Sequence, residues 1–158
     1  MSKKVASLSQ DTSKVLAKLL KTIAKLEIKI ELQRQFLANN TNMEPYSVFN
    51  WVDRNQDGFI NSMELLNYLR DNQTFGHTEA ECYYVIKFFD SDEDGKLNYP
   101  DFLQMLLPCD NPTLRAEATQ RPTLVITQFD YLTLDVERDL TALIELEIEM
   151  HLKTEALK

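Results

Sequence analysis

Glycine is scarce in this chain, with three in 158 residues, and only five prolines accompany them. So few turn formers exclude a many-turned β architecture. Cysteine is scarcer still. Cys82 and Cys109 are too few for a disulfide scaffold and have no C-x-x-C spacing, so they read as reduced thiols of a cytosolic protein. The two histidines, His77 and His151, stand in no Ser/His/Asp, Cys/His or zinc pattern, and no phosphate loop accompanies them, so no enzyme is expected. No run approaches the 18 apolar residues of a membrane span. The opening Met1-Ser2-Lys3-Lys4 has neither the apolar stretch of a secretory signal nor the glycine that myristoylation needs. Positive charge is in the minority: 17 Lys and Arg stand against 25 Asp and Glu, a net charge of -8. Such a chain is a poor nucleic-acid binder and is suited to cations or basic partner segments.

What is present is helix-forming sequence. Hydrophobic residues make up 44% and charged residues 27%, enough for a packed core. An all-α fold is predicted, in four parts. Residues 1–40 hold a basic amphipathic helix over 12–38, uninterrupted by Gly or Pro. Leu16, Leu19, Ile23, Leu26, Ile30 and Leu37 form its 3-4 seam, with Gln33 in one seam position. From Met1 to Arg34 the chain carries eight basic residues and three acidic ones. Residues 45–107 alternate short helical stretches with Asp-rich loops, and Thr78-Glu79-Ala80-Glu81 reads as a capping box. Residues 108–132 are a linker containing Pro108, Pro112 and Pro122 that lies against the folded part, and Thr123–Thr127 has β character. Residues 133–158 form an acidic amphipathic helix with Val136, Leu140, Leu143 and Met150 on one face. It lacks a C-cap signal at Lys158, which leaves room for the helix to continue.

Two twelve-residue segments concentrate oxygen. The first runs Asp53-Arg-Asn-Gln-Asp-Gly-Phe-Ile-Asn-Ser-Met-Glu64, and the second Asp90-Ser-Asp-Glu-Asp-Gly-Lys-Leu-Asn-Tyr-Pro-Asp101. Oxygen side chains fall at positions 1, 3, 5, 9 and 12, and glycine at position 6. A hard cation takes six to eight oxygens, and a loop wrapped round it needs a sharp turn halfway. Gly58 and Gly95 supply that turn through positive φ. Position 8 is apolar in both, Ile60 and Leu97, as expected where two loops pair through a short strand. Val48, Phe49 and Val52 precede the first loop at the offsets of Val85, Ile86 and Phe89 before the second, so this is an internal repeat.

With these residues the chain resembles the EF-hand calcium-binding family, in the paired arrangement of one calmodulin or troponin C lobe, over residues 45–107. The resemblance implies a paired lobe flanked by the two long helices. It also implies the ligands. In loop 1, Asp53, Asn55 and Asp57 would ligate by side chain, Phe59 by its carbonyl, Asn61 directly or through water, and Glu64 by both oxygens. In loop 2 they would be Asp90, Asp92, Asp94, Lys96, Asn98 and Asp101. Loop 2 departs from the family, because Asp101 stands where Glu is usual and is one methylene shorter. Loop 1 is therefore expected to hold Ca²⁺, and loop 2 Ca²⁺ or Mg²⁺. Leu107–Arg115 with Gln120-Arg121-Pro122 looks like the tail of some protist EF-hand proteins, ciliary ones included, and reads equally as an ordinary linker.

Two functions follow from the resemblance. One is a structural or regulatory subunit of a larger assembly, cytoskeletal or ciliary, which binds other proteins through helices 12–38 and 133–155. The other is a calmodulin-like sensor whose groove binds its own N-terminal helix or a partner helix. Neither requires nucleic acid or a membrane span. A cytoplasmic address is expected, with the cytoskeleton and the ciliary axoneme among the settings the resemblance allows.

Overall fold

A computed structural model describes residues 9–123 and 132–157. Residues 124–127 of the Thr123–Thr127 stretch lie outside the described residues. Among those residues the fold is all-α: α1 (Gln10–Ala38), α2 (Pro45–Val52), α3 (Ser62–Asp71), α4 (Glu79–Phe89), α5 (Tyr99–Leu106), α6 (Pro112–Thr119) and α7 (Leu134–Glu155). No helix among them is long and apolar enough to cross a membrane.

Local chemistry sets most helix starts. Ser9, Glu44, Asn61, Thr78, Asn98 and Asn111 each accept a first-turn N–H through a side-chain oxygen. Thr78 caps Glu81 N–H at 3.2 Å, but the Glu81 carboxylate turns to the Thr78 hydroxyl and to His77 instead of closing the capping box. The Pro-containing segment holds a two-turn helix, α6, because Asn111 caps it and Pro112 fits its first turn.

α7 is the hub of the fold. It lies along α1 and across α4. The Tyr68 hydroxyl of α3 donates to Glu137 O (2.9 Å), and the His151 ring lies 4.6 Å from that of Phe88. The apolar side of the helical pairs is thus covered by α7, whose Val136, Leu140, Leu143, Ile144 and Ile148 join one core with Leu66, Val85, Ile86, Phe102 and Met105. At roughly 1.5–3 kcal/mol per fully buried large side chain, this shared core is a major stabilising contribution.

α1 and α7 run antiparallel. Asn40 Nδ2 donates to Asp135 (2.8 Å), and Arg34 Nη2 meets Glu147 (2.8 Å). Gln33, the polar residue of the seam, donates to Asp139 O at 2.9 Å, which satisfies it inside the interface. Only part of the seam is covered. Leu26, Ile30 and Leu37 are buried, Leu19 and Ile23 half-buried, and Leu16 exposed. Arg34 reaches further, donating Nε to Met105 O at 2.9 Å. Glu147, fully buried, also meets His151 at 3.1 Å. A buried carboxylate needs such partners, because removing one leaves an uncompensated charge costing about 3–5 kcal/mol. At the other end, Arg121 donates to Ala38 O, Asn40 O and Met43 O at 2.7–2.9 Å. It thereby satisfies Ala38 O, a carbonyl that helix geometry leaves unpaired at the end of α1, and ties down the connection that carries Asn40 and Met43.

Candidate metal centre

The two loops are turned by the same hydrogen bonds. Asp53 closes α2 and accepts Gly58 N–H at 2.8 Å; Asp90 closes α4 and accepts Gly95 N–H at 2.7 Å. Both glycines have φ near +80°, a conformation an L side chain strains to adopt. Asp57 accepts Phe59 N–H (3.0 Å), and Asp94 accepts Lys96 N–H (3.1 Å). Ile60 and Leu97 exchange both backbone hydrogen bonds at 2.8 Å in an antiparallel bridge, as the apolar eighth positions predict. Asn61 and Asn98 then close capping boxes with Glu64 and Asp101, so the twelfth residue of each loop is fixed at a helix start.

Beyond that frame the loops differ. In loop 1, oxygens of Asp53, Asp57 and Glu64 lie within 4.8 Å of one another. Asn55 Nδ2 touches Asp57 at 3.3 Å, and Glu64 uses Oε1 on Asn61 N–H (3.1 Å) and Oε2 on Asn55 N–H (3.4 Å). Burial pushes the Asp53 carboxyl up, against the Gly58 hydrogen bond, and the Asp57 and Glu64 charges push it further. The Phe59 N–H holds Asp57 below its ordinary range, with a small aid from Lys96, whose ammonium lies 4.8 Å from the Phe59 ring. The neighbouring negative charges that push the Asp53 carboxyl up are what a divalent cation offsets.

Loop 2 gathers no such trio among the described residues. The Ser91 hydroxyl donates to Asp101 Oδ1 at 2.6 Å and lies 3.3 Å from Asp92. Asn98 Nδ2 holds the other Asp92 oxygen at 3.3 Å. Asp101 Oδ2 accepts only a long bond, 3.4 Å, from Asn98 N–H. Yet Asp90 Oδ1 is buried without a hydrogen-bond partner. An orphaned, buried carboxylate oxygen is costly, and a cation is the partner that suits it. The donor sets of both loops therefore fit a hard divalent cation, loop 1 with three carboxylates already gathered. Ser91 was missed by sequence reasoning, because position 2 is not a ligand position; its signal was a hydroxyl beside a shortened position 12.

Two helix–loop–helix units, joined by a backbone bridge and turned by glycine at the sixth position, define a paired cation-binding module. Residues 46–107 match the family model described as an EF-hand domain pair. This part of the chain belongs to the EF-hand calcium-binding family. No curated protein matches the chain. EF-hand domains generally bind Ca²⁺, are generally non-enzymatic, and commonly bind other proteins.

Proposed function

We propose that the chain is a Ca²⁺-binding subunit of a larger protein assembly. In it, the EF-hand pair, α1 and α7 form one body that presents α1 to a partner. The observation that carries this reading is the place of α7. It covers the apolar side of the pair, where a sensor would take a target helix, so its apolar face serves the fold and α1 is the helix with an open face. Loop 1 would hold Ca²⁺ through Asp53, Asn55, Asp57, Phe59 carbonyl, Asn61 and Glu64. Loop 2 would hold Ca²⁺ or Mg²⁺ through Asp90, Asp92, Asp94, Lys96 carbonyl, Asn98 and Asp101.

One contact favours a second reading, a Ca²⁺ sensor closed by its own helix. Burial pushes the Glu137 carboxyl up, and a hydrogen bond from Trp51 opposes this. Trp51 stands two residues before Asp53, so a change in loop 1 has a short route to α7. Titration calorimetry with Ca²⁺, followed by hydrogen exchange over α7 in Ca²⁺ and in chelator, tests both. Micromolar binding with unchanged α7 protection is expected for the subunit. Deprotection of α7 on adding Ca²⁺ selects the sensor, and no Ca²⁺ uptake at all overturns both.

A further inference from the structure

The side of α1 turned away from α7 carries one stripe with two chemistries. Lys14, Lys18, Lys21 and Lys25 continue into Ile28, Leu32 and Phe36 in steps of three and four, which at 3.6 residues per turn is a single helix face. Ile28, Leu32 and Phe36 are 62%, 61% and 61% exposed, although large apolar side chains are the ones water disfavours most. All four lysines are exposed. None makes an ion pair among the described residues, although the helix packed on the opposite face of α1 is rich in carboxylates.

From this stripe we infer a docking face for an α-helix of another protein, apolar over about two turns and acidic over the two or three turns that follow. The charge of the stripe selects that occupant. A second copy does not fit: parallel pairing would set lysine against lysine, and antiparallel pairing would set lysine against Ile28, Leu32 and Phe36. An anionic lipid surface fits less well. Membrane-surface helices bury a broad apolar face and keep lysines on the polar side, whereas here the lysines share the apolar stripe, on a chain of net charge -8. An acidic-apolar helix satisfies both ends at once, and the pairing weakens with salt because its charged half is exposed.

The inference rests on the subunit reading, but its test does not depend on metal. Two synthetic helical peptides serve as probes, each with leucines at 3-4 spacing over two turns. One continues with glutamates at that spacing, the other with lysines. Fluorescence anisotropy on the full chain is expected to show the glutamate peptide binding at least about tenfold tighter, an advantage that shrinks between low and high salt. The quadruple variant Lys14→Glu, Lys18→Glu, Lys21→Glu, Lys25→Glu should invert the preference, and Leu32→Asp should weaken both peptides. These positions are exposed, so helix content by circular dichroism should hold. Equal affinity for the two peptides overturns the proposal. So does lysine-dependent binding to phosphatidylserine vesicles with no peptide preference, or self-association that Leu32→Asp abolishes. Failure of Ca²⁺ uptake with peptide preference intact would remove the Ca²⁺-binding role and leave this face standing.

Discussion

Loop 1 and loop 2 share a backbone and differ in what their twelfth residue can reach. Glu64 is long enough to accept from Asn61 and still bring its carboxylate to Asp53 and Asp57. Asp101 makes the same capping box, but one methylene less leaves its carboxylate near the loop's start, where Ser91 takes an oxygen. The pair therefore teaches that backbone turns and caps can be conserved within a repeat while ligand convergence is not. A glycine at position 6 and a capped helix need only local chemistry. Convergence needs the right side-chain length.

The largest effect should come from what the loops have in common. Ile60 and Leu97 are both fully buried at the bridge. Ile60→Ala should cost about 2–5 kcal/mol through the cavity it leaves, read by urea unfolding of the cation-free chain. Both loops should lose affinity together; a variant that weakened loop 1 alone would show that the bridge does not couple them. Next comes Glu64→Gln. Glutamine can still serve the capping box, so the helix start survives while one charge of the trio is lost. Calorimetry should show Ca²⁺ affinity at loop 1 falling at least about tenfold, ~1.4 kcal/mol, with loop 2 nearly unchanged. An identical titration curve would remove Glu64 from the ligands.

Most of this was legible from spacing. The loops, their bridge through Ile60 and Leu97, and the two long helices all follow from periodicity and turn chemistry acting over a few residues. What was not legible depends on contacts far apart in the chain. The seam of α1 predicted a partner but not which one, and only folding shows α7 covering Leu26, Ile30 and Leu37 while Leu16 stays exposed. In the sequence Arg34 counted only as one of the basic residues of the N-terminal segment. It is the ion partner of a buried glutamate 113 residues away. Arg121 sat in a segment read as a linker and closes the end of α1. α6 was hidden because Pro112 suggests a break, although proline suits a first turn when a residue such as Asn111 caps it.

The remaining predictions sharpen the difference at position 12. Asp101→Glu should restore the reach that loop 1 has. Ca²⁺ affinity at loop 2 is expected to rise severalfold while Mg²⁺ affinity does not, because Ca²⁺ tolerates the extra oxygen of a bidentate carboxylate and Mg²⁺ holds to six. Competition titrations in millimolar Mg²⁺ measure this, and a parent loop 2 already indifferent to Mg²⁺ would undo the argument from length. The smallest effect belongs to Ser91. Its hydroxyl hydrogen-bonds Asp101 Oδ1 at 2.6 Å, so an ion that uses this oxygen must displace it or share it. A hydrogen bond to a charged group contributes about 1.5–3 kcal/mol, and part of that returns when the cation takes its place. Ser91→Ala should therefore strengthen loop 2 by a few-fold and leave loop 1 as it was. In the double variant with Asp101→Glu the gain should shrink, since the longer carboxylate no longer depends on the oxygen that Ser91 held. Equal gains from Ser91→Ala in both backgrounds would mean that the serine acts on loop stability and not on Asp101.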